Sequence, residues 1–385
     1  MVGGHAGPDD AGTLLAAADA QADEGAFREA VDSLVAANRA TRRPAIEERL
    51  VALRHEAVAS ATAPSPGPRP DAPASDPFGA PGIPQIDAAD LTAAVLGAAL
   101  AHRGSLIVRG LLDLETAARL RDDIDRAFAA RDAHEAGAPV TETSPWYVPF
   151  HAAEGYTFGD IERFVSRAGG GVLSVDSPRA LFDVIEAFHA IGLGRLLEEH
   201  FGEWPVLSAK KSTLRRATPE SPTEWHQDGA FLGRDTRTVN VWTALTACGV
   251  DAPGVDVFAR PFDDIVETGA QVCWFHWSVP PDRADQLQRG DIERPTFGPG
   301  DALIFDQLTL HRTALSPTMT QDRYAIESRF FALHLSPRAG PDPVLTGAAG
   351  GPVRSTRAPS AARPRPPWTR RFCMAPPTDL GDPPR

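Results

Sequence analysis

The chain is poor in cysteine, with only Cys248, Cys273 and Cys373 among its 385 residues. An odd number at wide spacing argues against a disulfide framework and a cysteine-based zinc site, so reduced thiols are expected. No apolar run approaches the roughly 18 to 20 residues that cross a bilayer, and no membrane association is expected. Residues Met1 to Asp10 hold no basic cluster and lead into no apolar signal core, which points to a cytoplasmic protein. Net positive charge is missing as well. At a formal −13 the chain would be repelled by a polyphosphate backbone, so nucleic acid is expected neither as substrate nor as partner.

Hydrophobic residues make up 42% of the chain, enough for one substantial core with appendages. The first 61 residues are Ala-rich, with apolar positions at helical spacing: Leu14 and Leu15, Ala18, Phe27, Ala30, Leu34, Ala37, then Ile46, Leu50 and Leu53. Ala18, Gly25, Phe27, Ala30, Leu34 and Ala37 resemble a single tetratricopeptide unit, in which small residues let two helices approach. One such unit cannot bury its own face. A helical hairpin that docks elsewhere or takes a protein partner is therefore expected over residues 1–61.

Residues 62–85 read as a linker, because Pro64 to Pro84 carries eight prolines among Ser, Ala and Gly. Beyond it, helical spacing covers Ile86 to His102, Asp113 to Ala130 and Pro178 to Phe201, with a short β-type run at Ser105 to Val108. From Val206 the pattern changes to short β-rich runs bounded by Gly, Pro and Asp: Val206 to Leu214, Thr236 to Leu245, Val255 to Phe258, Gln271 to Val279, Ala302 to Phe305 and Tyr324 to Leu335. Strands at this spacing predict a sandwich or barrel. Residues 341–385 hold eleven prolines, several arginines and little apolar content, the composition of a disordered tail.

Thr223-Glu-Trp-His-Gln-Asp-Gly places His226 and Asp228 two apart beside a β-rich run. On a strand, residues i and i+2 point to one face, so both side chains can reach one metal. On a helix the same spacing would splay them by about 200°. A third ligand follows in Phe297-Gly-Pro-Gly-Asp-Ala-Leu-Ile-Phe-Asp-Gln-Leu-Thr-Leu-His311, which reads as a turn, a buried strand and a histidine opening the next strand. Two imidazoles and one carboxylate leave three positions open on iron(II) and neutralise one of its two charges, so a bidentate keto acid and O2 can complete the sphere. A cation must then hold the keto acid's distal carboxylate. Arg323, at the start of a strand twelve residues past His311, suits that task, with Arg329 on the same strand face as the second choice.

The stretch from about Leu106 to Leu335, roughly three fifths of the chain, resembles the phytanoyl-CoA dioxygenase family of iron(II)- and 2-oxoglutarate-dependent oxygenases. The matching features are Leu106-Ile-Val-Arg-Gly-Leu-Leu-Asp, Leu214-Arg-Arg before Trp225-His-Gln-Asp, Asn240-Val-Trp-Thr-Ala-Leu, Gly300-Asp-Ala-Leu-Ile-Phe and Arg323-Tyr-Ala-Ile. The resemblance implies a mainly β fold with flanking helices over residues 86–340, built on a double-stranded β-helix (jelly-roll, cupin-like) core. It also implies metal ligation and catalysis by His226, Asp228 and His311, and 2-oxoglutarate binding by Arg323, Trp242 and Thr313. With Asp228 in place there is no vacancy for a halide ligand, so hydroxylation, desaturation or ring closure of a small-molecule substrate is implied. Where many relatives have Pro-Gly-Ser-His, this chain reads Phe258-Ala-Arg-Pro-Phe-Asp-Asp, so relatives' substrate contacts do not transfer. The aromatic stretch Trp146, Tyr147, Phe150, Tyr156 and Phe158 before Gly169-Gly-Gly171 suggests either a lid or a packed loop. Two other readings stand beside this one: a metal-binding β-barrel with oxygen-independent chemistry, and a non-catalytic scaffold that acts through its helical N-terminus.

Overall fold

A computed structural model describes residues 9–60, 71–221, 224–233, 236–269, 273, 275–287, 291–335 and 344–346. The described residues all belong to one compact unit, and Thr356–Arg385 lies outside them. From the N-terminus come helices α1 (Asp9–Asp23), α2 (Phe27–Ala40) and α3 (Pro44–Ser60), strand β1 (Gln85–Asp87), helix α4 (Ala93–Arg103), strand β2 (Ser105–Arg109) and helix α5 (Leu114–Glu135). Short helices α6 (Val140–Thr143) and α7 (Asp160–Ala168) precede strand β3 (Gly171–Leu173) and helices α8 (Pro178–Ala190) and α9 (Leu193–Phe201). Strands β4 (Pro205–Ser208) and β5 (Thr213–Ala217) lead to the one-turn helix α10 (Gly229–Leu232) and strands β6 (Thr238–Ala244) and β7 (Gly254–Phe258). Helix α11 (Pro281–Gln286) and strands β8 (Ile292–Glu293), β9 (Ala302–Asp306), β10 (His311–Ala314), β11 (Arg323–Ala332) and β12 (Val344–Thr346) complete the order.

The strands form two sheets. A nine-stranded sheet runs β1-β2-β9-β6-β11-β4-β12, with β5 also paired to β11 and β3 to β5; the smaller sheet is β10-β7-β8. All pairings are antiparallel except β1 with β2. Alternation along a strand sends successive side chains to opposite faces, and here both faces are covered. Val239, Val241, Ile304, Ile326 and Phe330 pack against Leu96, Leu120, Ile124, Leu181, Val184 and Phe201 of the helices. The intervening residues Trp242, Leu303, Phe305 and Ala325 meet Val255 and Val257 of the small sheet. The space between the sheets is where polar residues of β6 and β11 converge.

Among the described residues helical ones outnumber strand ones, so the chain is a sheet core with helices flanking its outer face and not mainly β. The N-terminal hairpin is extended by α3 into a three-helix unit, with Gly25 (φ 79°) turning α1 into α2. Its apolar face, including Ala18, Phe27, Leu34, Ile46 and Leu53, is closed by Phe182 of α8. Buried Glu47 adds an ion pair to Arg179, and Arg42 reaches Asp183. The face that a lone repeat leaves bare is thus spent on this chain's own core.

Other expectations shift for local reasons. Ile86 lies in β1, because pairing with β2 captures the residues after Pro84 before the helix starts at its Thr92 cap. The helix over Pro178 to Phe201 breaks at Gly192, which is left-handed (φ 72°). The described residues between Gln271 and Val279 form no strand, only a bridge at Ser278. In residues 71–84, Arg103 donates to the carbonyls of Phe78 and Ala80, which ties that segment to α4. Val344–Thr346 pairs with β4, while the other residues of 341–385, like 61–70, lie outside the described residues. Among the described residues no helix is long and apolar enough to cross a membrane.

One buried carboxylate makes the fold pH-sensitive. Asp123 of α5 is 4% exposed, its Oδ2 has no hydrogen-bond partner, and burial, reinforced by Asp183, pushes its pKa up to about 7. Because the folded value lies above the unfolded one, its contribution is complete below about pH 4 and is lost as pH rises through about 7. Urea midpoints at pH 5 and pH 8 should show wild type losing on the order of 2 kcal/mol more than Asp123→Asn over that interval. Equal losses in the two proteins would refute the assignment.

Candidate metal centre

His226 and His311 are backbone partners. Each amide donates to the other's carbonyl at 3.0 Å, which sets the imidazoles side by side with ring centroids 4.4 Å apart. The expected strand does not extend through the H-x-D segment: His226 sits in an isolated bridge, and Asp228 has helical dihedrals (φ −60°, ψ −31°) as it caps α10. The ligands still converge, because the chain turns after His226 instead of running on. One ligand atom from each of His226, Asp228 and His311 lies within 4.8 Å of the other two.

Both tautomers are set by the backbone. Nδ1 of His226 is 2.9 Å from the carbonyl of Glu224, and Nδ1 of His311 is 3.0 Å from that of Thr309. With the proton at Nδ1 donated to a carbonyl, each Nε2 keeps its lone pair for a metal. Burial, with the neighbouring His311 ring, lowers the His226 pKa to about 4, so the imidazole is neutral over the physiological range.

Asp228 is 1% exposed. Its Oδ2 accepts from the guanidinium of Arg329 and, at 3.3 Å, from Asn240 Nδ2, whereas Oδ1 is buried without a partner. Burial raises its pKa, but Arg329 and then the two histidines outweigh that and hold the carboxyl below its usual range. An orphaned, ionised carboxylate oxygen beside two imidazole lone pairs is the donor set of a divalent metal. The residues present therefore fit iron(II).

Arg323 is 1% exposed at the start of β11. Nη1 donates to Gly254 O at 2.7 Å, Nε has no partner, and the guanidinium lies 5.3 Å from the Trp242 ring centroid. Burial lowers its pKa to about 10, well above neutrality, so it is a buried cation facing no carboxylate at ion-pair distance among the described residues. Thr313 shares a face of β10 with His311 and pairs with Val255, the residue after the Gly254 whose carbonyl Arg323 reaches. Arg329, the second choice for the distal carboxylate, is instead bound to Asp228.

Several supporting residues escaped the sequence. Gln227, fully buried between the two ligands, donates to the Leu308 carbonyl and accepts from Val266 N, both at 2.6 Å. Asp306 receives the amides of Leu308 and Thr309 and so shapes the turn into His311. Asn240 stood in the sequence only as the first residue of Asn240-Val-Trp-Thr-Ala-Leu; alternation along β6 puts it on the same face as Trp242. The glycines at 169–171 do not form a free lid: Arg216 N donates to Gly170 O, β3 pairs with β5, and a Cβ on Gly171 would lie 2.3 Å from Thr213 Cγ2. Phe150 and Tyr156 pack edge-on to His55 of α3, so this aromatic stretch is a packed loop.

No protein-family model and no curated protein sequence matches this chain significantly. Solved structures similar to it include EvdO2 from Micromonospora carbonacea var. aurantiaca complexed with 2-oxoglutarate, at 15% identity over 66% of this chain and 93% of that one (TM-score 0.36). The non-heme alpha-ketoglutarate-dependent carbocyclase SnoK from nogalamycin biosynthesis is 15% identical over 66% and 87% of the two chains (TM-score 0.40). The non-heme monooxygenase ThoJ is 16% identical over 66% and 83% (TM-score 0.41). Likeness at this level says nothing of activity.

Proposed function

We propose that the protein is an iron(II)- and 2-oxoglutarate-dependent dioxygenase of the phytanoyl-CoA dioxygenase-like kind, hydroxylating a C–H bond of a small molecule with formation of succinate and CO2. In this reading the two sheets are the halves of a double-stranded β-helix. The observation that carries it is the unpartnered Oδ1 of Asp228 between two histidines whose tautomers leave Nε2 free.

Nε2 of His226 and His311 and Oδ1 of Asp228 would hold iron(II), which with 2-oxoglutarate supplies the oxidising equivalents drawn from O2. Arg329 and Asn240 occupy Oδ2 of Asp228 and so keep the carboxylate a one-oxygen ligand. Arg323 takes the distal carboxylate of 2-oxoglutarate, to which Thr313 adds a hydroxyl, and Trp242 forms the wall under the guanidinium. Phe305, 4.6 Å from the His311 ring, and Val257 line the gap with apolar surface, which excludes water and limits unproductive turnover.

Anaerobic titration with iron(II) and then 2-oxoglutarate should produce a visible metal-to-ligand charge-transfer band in wild type and none in His311→Ala. A folded wild type that gives no band would overturn the reading.

A further inference from the structure

We propose that a cavity between the C-terminal end of α5, helix α7 and strand β3 is a second binding site, one that takes a small oxyanion, a carboxylate or phosphate, carried on a short apolar or aromatic body. None of its lining residues belongs to the candidate metal centre.

The cavity holds about 230 Å³, below the roughly 300 Å³ at which pockets for drug-sized ligands begin, so its occupant is small. Tyr147 and Asp176 form part of its buried lining, and Arg131, Arg163 and Arg167 stand around it. Phe164 of α7, 61% exposed, lies on its solvent side.

The Tyr147 side chain is 5% exposed, and among the described residues its hydroxyl has no hydrogen-bond partner. The charged groups that act on that hydroxyl are Asp176, Arg163, Glu135 and Arg131, all four of them on the lining, so the hydroxyl faces the cavity. Burial, and then Asp176, pushes its pKa up to about 12, which keeps it a neutral O–H donor.

Three arginines and three carboxylates line the cavity, yet the valences they leave unspent are of one kind. Both oxygens of Asp176 are occupied: Oδ1 accepts from Phe150 N at 2.7 Å and from Arg163 Nη2 at 2.9 Å, and Oδ2 accepts from Arg163 Nε at 2.9 Å. Glu135 is paired with Arg167 at 2.7 Å, and the Asp160 side chain stands wholly in solvent. On the donor side, Arg163 Nη1 makes no hydrogen bond among the described residues and has only that exposed Asp160 near it, at 3.9 Å. Arg131 is mostly buried, but its partner Asp132 lies off the lining and in solvent, which screens the pair. What remains for a ligand is therefore an O–H and guanidinium N–H groups, the donor set of an oxyanion site. Among the described residues Phe164 is the only aromatic side chain in the set of exposed large apolar ones, and Val172 and Leu173 line the same cavity. These surfaces suit a flat or apolar body behind the anionic head.

The test is calorimetry on the full chain with benzoate, phenyl phosphate, acetate, inorganic phosphate and neutral benzamide. Benzoate or phenyl phosphate should bind about 10- to 100-fold tighter than benzamide, the range for a hydrogen bond to a charged group, and tighter than its headgroup alone; which of the two wins tells carboxylate from phosphate. Tyr147→Phe removes a hydroxyl that bonds nothing in the ligand-free protein. It should leave the urea midpoint unchanged or higher while weakening the preferred anion by about 10- to 100-fold. Phe164→Ser should weaken the aryl anion and leave the headgroup alone unaffected. Failure of both aryl anions to bind, a benzamide that matches them, or full affinity in Tyr147→Phe would overturn the proposal. So would an affinity lost in Arg323→Met and kept in Tyr147→Phe, because the anion would then sit at the metal centre.

Discussion

In Arg323→Met the 2-oxoglutarate concentration that half-saturates the iron(II) protein should rise by about 30- to 1,000-fold. Truncating one partner of a buried, hydrogen-bonded charge pair costs about 2 to 4 kcal/mol, the factor quoted. The sign of the accompanying stability change separates this role from a structural one. Without 2-oxoglutarate, Arg323 is a buried cation whose Nε has no partner and whose Nη1 reaches only a carbonyl. Its replacement by an apolar chain of similar length should leave the ligand-free protein equally stable or more stable. Urea midpoints with and without 2-oxoglutarate measure both effects. A large loss of stability in the ligand-free variant would make Arg323 a structural residue and remove the case for a co-substrate anchor.

The second large effect is expected at Arg329, with the opposite sign. Its guanidinium grips Asp228, and both side chains are almost fully buried (6% and 1% exposed). Arg329→Met would leave the carboxylate with Asn240 alone, and an uncompensated buried charge costs about 3 to 5 kcal/mol. A divalent cation can replace the lost positive charge. Iron(II), or zinc(II) as a redox-inert substitute, should therefore stabilise Arg329→Met more than wild type, and the melting temperatures of the two proteins should converge as metal is added. If the metal-induced shift is no larger in the variant, Asp228 is not where the metal binds.

The two arginines show where sequence reasoning was strong and where it stopped. They lie six apart on one strand, share its inner face and are chemically identical, so alternation alone made both candidates for the keto-acid carboxylate. What separates them in the fold is what stands opposite each. β6 sets Asn240 against Arg329, within reach of Asp228, and Trp242 against Glu327, with its ring beneath the Arg323 guanidinium. The H-x-D ligands converge, but by a different local geometry from the one their spacing predicts. The spacing predicts same-face strand geometry, whereas isolated bridges from His226 to His311 and Ser278, followed by a helical turn, bring the ligands together. Gln227, which anchors that turn from between the ligands, has no sequence signal that separates it from an exposed glutamine.

Periodicity and punctuation were enough to place β2, α5, β6, β7, β9 and β11, because long or strongly alternating segments carry their own burial pattern. They were also enough to nominate the three ligands, since two imidazoles and a carboxylate beside glycine-bounded strands have few other uses. Tertiary structure alone decided the splitting of Val206 to Leu214 into β4 and β5, the capture of residues 85–87 by β2, and the closure of the N-terminal helices by Phe182. The same holds for the pairing of Arg329 with Asp228 and for the grouping of Tyr147 with Arg131 and Arg163. The physical reason is common to all of these. Local sequence specifies which side chains must be buried and with what period, but which buried groups meet is settled by partners far away in the chain, whose packing and charge outweigh local preference.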